Sequence, residues 1–289
     1  MNRLIYELLL LFLIAVTQTS FADRRKVLCV YETPTAQQEP IYNDVLEGIK
    51  NKTRDLQKQI LLDNTDLLKQ QITQANPDII IALGKNAAET VAALPFRNKT
   101  IAGLFSFKAS AFNGVSLSLS DKAVAARLNH FMPGIRRIFI IQERGHKTIE
   151  TDTGFQSPDL NIVTFDGNDS LSTIRELGRI VENVATSFDA VFLPPNLPDE
   201  ILFKIGLTAW DKNIKLFSTN MWHLENGALM VFYPNATALG EQIGNLTSKN
   251  IPAYETVAKI DVALNRRIAQ HLELQFVPSI EALFAVTIK

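Results

Sequence analysis

The chain has 289 residues, of which 46% are apolar and 20% are charged, and its formal net charge is −1. A disordered chain would be poorer in apolar residues and more strongly charged. The lack of a basic surplus argues against a nucleic-acid-binding protein, and the single cysteine, Cys29, excludes a disulfide-stapled scaffold. The length allows one large domain or two lobes, each with its own hydrophobic core.

The first 22 residues are typical of a secretory signal peptide. Arg3 precedes an unbroken apolar run at residues 8–16, and the small residues Ser20 and Ala22 form a cleavage motif. A retained membrane anchor is the alternative, but the run is short of the roughly 20 apolar residues that span a bilayer. We therefore predict cleavage before Asp23 and a soluble mature protein in the periplasm.

Apolar strands alternate with amphipathic helices along the first half of the mature chain. Asn64 is a typical N-cap residue and predicts that a helix begins after it. The same helix ends at Asn76 and Pro77, because proline cannot continue a helix. The continuous apolar run at 78–83 is typical of a strand buried on both faces. The predicted elements are strands at 26–31, 59–62, 78–83, 100–104 and 115–119, and helices at 40–52, 66–75 and 85–94.

The alternation restarts in the second half of the chain. The predicted elements there are strands at 136–142, 161–165, 189–193, 215–218, 228–232 and 256–262, and helices at 121–131, 170–186, 199–212 and 236–246. Strands that alternate with helices predict parallel sheets built from βαβ units. One sheet of about a dozen strands would be unusually large, so we predict two α/β lobes with a break near Leu119.

Candidate binding residues follow the predicted strands, because ligands of open parallel sheets bind at the carboxyl ends of the strands. If Lys85 lines a cleft, it favours an anionic group on the ligand. The Gly84-Lys85 pair lacks the rest of a Walker phosphate loop, so a tight strand-to-helix turn is the favoured interpretation. Phe105 and Phe107 lie on the same face at the end of a strand. Either one ring stacks on a planar ligand, or both rings belong to the hydrophobic core.

Catalytic and metal-binding patterns are missing from the sequence. The four histidines have no metal-ligand spacing, and there is no GxSxG nucleophile elbow. His223 follows Trp222 near a predicted strand end and could face a cleft, but a surface position is the simpler interpretation. We expect no catalytic residue, no metal and no cofactor.

Four segments share their order and spacing with a known family. They are residues 77–88 (PDIIIALGKNAA), 113–116 (NGVS), 189–196 (DAVFLPPN) and 227–240, with the last containing Gly227-Ala228-Leu229-Met230, Tyr233 and Ala238-Leu239-Gly240. The similarity that they mark runs from about the first strand to Val262. In this order they resemble the substrate-binding proteins of ABC transporters, in the family that includes tryptophan- and tyrosine-binding proteins.

The resemblance implies a type I periplasmic binding protein fold, with two Rossmann-like βαβ lobes and parallel sheets joined by a multi-strand hinge. It implies a first lobe of residues 23–118 and 219–250 and a second lobe of residues 119–218 and 251–289. A monomer would capture a small molecule, amino-acid-like or another small carboxylate, and close for recognition by a membrane permease. The residues implied to face the ligand are Thr33, Gly84, Lys85, Asn86, Phe107, Asn196 and Asn220.

The chain departs from the family pattern at three places. Lys85 stands where the family usually has a small residue or threonine. Residues 143–158 are too short for the usual turn and helix, which shortens one wall of the cleft, and residues 265–289 differ from the usual ending. Two alternatives stay open: a sensory protein that presents its ligand to a receptor kinase, and an exported α/β hydrolase with a clustered Ser/Asp/His or metal site.

Overall fold

The computed structural model describes residues 25–145, 147–151, 160–249 and 253–289. The predicted signal peptide at 1–22 lies outside these residues, as do the predicted lobe boundary at 250/251 and residues 152–158 of the shortened wall. Among the described residues, no helix is both long enough and apolar enough to cross a membrane.

Sheet 1 forms the first lobe and contains seven strands, all paired in parallel. Its order is β12-β5-β4-β3-β1-β2, with β7 beside the end of β5. The strands are β1 (Lys26–Tyr31), β2 (Asp55–Ile60), β3 (Ile79–Leu83), β4 (Thr100–Gly103), β5 (Gly114–Ser120), β7 (Ile149–Glu150) and β12 (Tyr254–Val257). The central strand β3 is buried along its whole length, as its continuous apolar run predicts.

Sheet 2 forms the second lobe and also contains seven strands, in the order β14-β13-β11-β10-β9-β6-β8. Among the described strands of this sheet, only the β11–β13 pairing is antiparallel. The strands are β6 (Arg137–Glu143), β8 (Asn161–Gly167), β9 (Asp189–Phe192), β10 (Lys215–Ser218), β11 (Met230–Pro234), β13 (Ile260–Asn265) and β14 (Val286–Ile288). The two mostly parallel sheets confirm the predicted two-lobed α/β fold.

Ten α-helices connect the strands within the described residues. They are α1 (Glu39–Lys52), α2 (Thr65–Ala75), α3 (Lys85–Ala93), α4 (Asp121–Phe131), α5 (Ser170–Asn183), α6 (Asp199–Asp211), α7 (Trp222–Glu225), α8 (Ala236–Leu246), α9 (Arg266–His271) and α10 (Pro278–Glu281). The predicted boundaries of α2 are close to those observed: the Asn64 side chain accepts a hydrogen bond from the Leu67 amide at 3.0 Å, and Asn76 ends the helix with φ of 43°.

The chain passes between the lobes where the sequence predicts one continuous strand at 256–262. The structure has two strands there instead, with β12 in sheet 1 and β13 in sheet 2, separated by Ala258 and Lys259. Val257 and Ile260 are both buried, and they belong to strands of different sheets.

The predicted lobe assignment differs from the observed sheet membership in the same region. Residues 219–250 are predicted in the first lobe, but β11 pairs in parallel with β10 and belongs to sheet 2. The rings of Phe192, Phe217 and Phe232, on the three neighbouring strands, lie 5.3–5.5 Å apart and place β11 in the core of the second lobe. Helix α8 then packs against α1 of the first lobe, and β12 joins sheet 1 although residues 251–289 are predicted in the second lobe.

Candidate ligand-binding site

A cavity of about 270 Å³ opens between the two lobes. Ser106, Phe107 and Lys108, which follow β4, line it from the first lobe, while Arg144 follows β6 and Asn196 follows β9 in the second. The cavity therefore lies at the carboxyl ends of parallel strands from both sheets, where ligands of open α/β sheets bind. Its volume is close to the lower end of the range for small-molecule sites, roughly 300 Å³.

Strand β7 forms one wall of the cavity and was not predicted. It lies between β6 and β8 in the chain, yet Ile149 pairs with Leu119 of β5 in sheet 1. The Leu119 amide donates to the Thr148 carbonyl oxygen at 2.8 Å, and the Ser118 hydroxyl donates to the Lys147 carbonyl oxygen at 3.3 Å. The segment around β7 thus occupies the place of the predicted shortened wall and connects the second lobe to the first.

The buried Gln142 side chain, 1% exposed, holds this segment to the second lobe. Its Nε2 donates to the Ile149 carbonyl oxygen at 3.0 Å and to the Asp166 carboxylate at 3.2 Å. Its Oε1 accepts from the Thr148 and Ile149 amides, both at 3.2 Å. Lys147 forms an ion pair with the same Asp166 carboxylate. One glutamine therefore satisfies the backbone groups that a two-residue strand leaves without partners.

Tyr254 holds the segment to the first lobe. Its hydroxyl donates to the Glu150 carboxylate and lies 3.2 Å from the Phe107 carbonyl oxygen. Burial, together with the neighbouring Glu150 carboxylate, raises the pKa of Tyr254, so the hydroxyl stays a donor at neutral pH. The Tyr254 ring packs edge-on against Phe107, which also contacts Phe105 and Phe112. These aromatic side chains form a core cluster behind the cavity.

Three of the seven predicted site residues lie at or beside the cavity. Phe107 and Asn196 line it. The Asn220 side chain donates to the Pro195 carbonyl oxygen at 2.8 Å, while its own amide donates to the Ser218 hydroxyl at 3.0 Å. Asn220 therefore positions the loop that carries Asn196.

The other four predicted residues lie at the carboxyl ends of β1 and β3 and are not in the lining of the cavity. Gly84 begins α3 with φ of 93°, and the Asn86 side chain donates to the Glu32 carboxylate at 2.8 Å. Lys85 is 69% exposed and lies 3.9 Å from the Glu89 carboxylate, and Thr33 is exposed. The Gly-Lys turn is thus a tight strand-to-helix turn with a surface lysine.

Seven polar residues that line the cavity were not among the predicted site residues: Ser106, Lys108, Ser118, Arg144, Lys147, Thr148 and Glu150. Ser106 and Lys108 flank Phe107 in the loop after β4, so the strand-end rule covers them, although the family resemblance selected only Phe107 from that loop. Arg144 and Thr148 belong to the segment around β7, whose pairing with a distant strand leaves no local pattern.

A buried serine–histidine pair lies in the second lobe. The Ser218 hydroxyl is 2.8 Å from His223 Nδ1, and the two residues are 0% and 1% exposed. The Ser218 hydroxyl also accepts from the Asn220 amide. Because no substrate reaches a sealed hydroxyl, this pair is a structural contact of α7 with β10. His223 is therefore buried and not at the surface as the sequence suggested.

Within the described ranges, no group of three side chains could hold a metal ion.

The burial of His223 predicts that stability falls in mildly acidic solution. Burial lowers the pKa of His223 below its ordinary value, so below about pH 6.5 the unfolded chain takes up a proton that the folded chain excludes. The stabilisation is complete above that pH, and the expected loss approaches about 1.4 kcal/mol per pH unit between the unfolded and folded pKa values. Urea unfolding between pH 7 and 5 measures the slope. His223→Gln should flatten it, with exposed His130→Gln as the control, and an unchanged slope in His223→Gln would contradict the prediction.

Comparisons with known proteins place this arrangement in a known fold. No protein-family model matches the sequence, and no curated protein matches it. Among solved structures, the chain is similar to the ligand-free, open form of a substrate-binding protein with adhesive properties from Clostridium difficile, with 13% identity and a TM-score of 0.58 over 92% of this chain and 99% of that one. It is also similar to an ABC domain in complex with L-Trp from Streptococcus pneumoniae, with 12% identity and a TM-score of 0.52 over 92% and 100%. This chain therefore has the type I periplasmic binding protein fold that its motif order predicted.

Proposed function

We propose that this protein is an exported solute-binding protein that captures a small molecule between its lobes and delivers it to the membrane permease of an ABC transporter. The observation that carries the proposal is the cavity at the carboxyl ends of β4, β6 and β9, lined from both lobes. A ligand that contacts both lobes stabilises a closed arrangement, which a permease can distinguish from the open one. The protein would act as a periplasmic monomer.

The chemistry of the cavity supports reversible binding. Its lining offers hydroxyl, amide and cationic groups, which suit hydrogen bonding to a polar solute. The Ser218–His223 pair is sealed in the second lobe and is not in the lining of the cavity. The proposed function therefore requires no catalytic residue and no cofactor.

A thermal-shift screen with amino acids, other small carboxylates and sugars tests the proposal. A ligand that binds only the folded state stabilises it by about 2.7 kcal/mol at a concentration of 100 Kd, so we expect at least one solute to raise Tm by several degrees. Asn196→Ala should reduce the shift, because Asn196 lines the cavity, whereas Asn86→Ala should not, because Asn86 is bonded to Glu32 outside it. The proposal fails if no solute raises Tm or if Asn196→Ala binds like the wild type.

A further inference from the structure

The polar side chains of the cavity fall into two sets. The first set is satisfied within the protein: Ser118 bonds to the Lys147 carbonyl oxygen, Lys147 pairs with Asp166, and Glu150 accepts from Tyr254. In the second set, no side-chain group has a hydrogen bond or ion pair with any described residue. Its members are Ser106, Lys108, Arg144, Thr148 and Asn196. This second set is what the cavity offers to a ligand.

The second set is rich in donors and carries two positive charges. Lys108 follows β4 of the first lobe and Arg144 follows β6 of the second, so the two cations reach the cavity from different lobes. The Lys147–Asp166 ion pair is internally balanced, and the two free cations outnumber the Glu150 carboxylate. Apart from that pair, the lining residues that the structure describes therefore carry one net positive charge, which favours an anionic ligand.

We propose, on the basis of the proposed function, that the ligand is a small organic anion whose carboxylate or phosphate oxygens are held between Lys108 and Arg144. Arginine presents a planar fork of donors that matches the oxygens of either group, and lysine supplies a compact positive charge. The hydroxyls of Ser106 and Thr148 and the amide of Asn196 lie in the same lining and can donate to further oxygens. An anion held from both sides would draw the lobes together.

This assignment replaces Lys85 as the anion-recognition residue. Lys85 is 69% exposed, pairs with Glu89 and is not in the lining of the cavity. It is therefore a matched control: a lysine that follows a strand of the same sheet, with no role in the proposed contact. Lys108, Arg144 and Lys85 are all exposed, so their substitution by glutamine leaves the folded core intact.

Calorimetric titrations with paired probes test the proposal. The pairs are succinate with succinamide and glycerol 3-phosphate with glycerol, measured on the wild type, Lys108→Gln, Arg144→Gln, the double variant and Lys85→Gln. We expect one anion to bind at least tenfold more tightly than its neutral counterpart. Each single variant should weaken that anion about tenfold, and the double variant more, because each substitution removes a charge-assisted hydrogen bond. Lys85→Gln should match the wild type.

The outcomes separate this inference from the proposed function. Preference for the carboxylate or for the phosphate probe identifies which anion the site selects, and either supports the inference. If the double variant binds the anion as tightly as the wild type, or if only solutes without a carboxylate or phosphate group bind in the screen, the inference is wrong and the proposed function stands. If neither anionic nor neutral solutes bind, the proposed function is wrong and the inference falls with it.

Discussion

Replacing Gly240 with alanine is expected to lower the free energy of unfolding by about 3 kcal/mol, the upper part of the range for overpacking. Gly240 lies where α8 crosses α1, and an added Cβ would stand 2.1 Å from the Val45 carbonyl oxygen. The contact is reciprocal, because a Cβ on Gly48 would stand 2.0 Å from the Thr237 carbonyl oxygen. Backbone atoms cannot rotate away as a side chain can, so the two helices would have to separate.

Urea unfolding of Gly240→Ala and Gly48→Ala measures this loss, and two other helical glycines provide matched controls. A Cβ added at Gly178 in α5 or at Gly206 in α6 meets no atom within 4 Å. Alanine at these controls should stabilise the protein by roughly 0.5–1 kcal/mol, because glycine is the poorer helix former. Equal effects at the crossing and the control positions would contradict the close packing of α1 and α8.

Replacing Gln142 with leucine is expected to lower the free energy of unfolding by about 3 kcal/mol and to loosen the wall of the cavity. Leucine has a similar size but leaves the amides of Thr148 and Ile149 and the Ile149 carbonyl oxygen without the partners that Gln142 supplies. Each unsatisfied buried group costs about 1–3 kcal/mol. Since Thr148 and Arg144 line the cavity beside this strand, ligand affinity should fall as well.

Hydrogen exchange at the Thr148 and Ile149 amides, followed with urea unfolding, tests this prediction directly. Both amides should exchange faster in Gln142→Leu than in the wild type, because local opening no longer breaks the bonds to Gln142. Gln270→Leu is the control, since Gln270 is exposed on α9 and a surface change there should alter stability by about 0.5 kcal/mol or less. Unchanged exchange in Gln142→Leu would show that the β5–β7 pairing holds the segment by itself.

Local sequence patterns determined most of the elements of this protein. The buried run of β3, the Asn64 cap and the Asn76 terminus of α2 each depend on neighbouring residues, and each prediction agrees with the structure. Strand β2 begins at Asp55, four residues before its predicted start. It is an edge strand of mostly polar residues, so its pairing with β1 creates no apolar pattern that a sequence could reveal.

The partners of each strand were decided only by the tertiary structure. The segment 256–262, predicted as one strand, belongs to both sheets, and β7 joins the sheet of the other lobe. The periodicity of apolar residues predicts that a residue is buried but not which element it packs against. The predicted lobe ranges therefore differ from the observed sheet membership of the strands.

The residues of the candidate site also divide into those that the sequence predicted and those that only the tertiary structure identified. The family resemblance selected Phe107 and Asn196, and both follow predicted strands, where the strand-end rule expects ligand contacts. The rule also selected Lys85, because it cannot tell which strand ends face the opposite lobe. The presence of Lys108 and Arg144 in the lining of one cavity depends on how the two lobes pack and on the bonds of Gln142 to β7. The sequence by itself therefore determined the two-lobed fold, and the tertiary contacts decided which charges face the cleft.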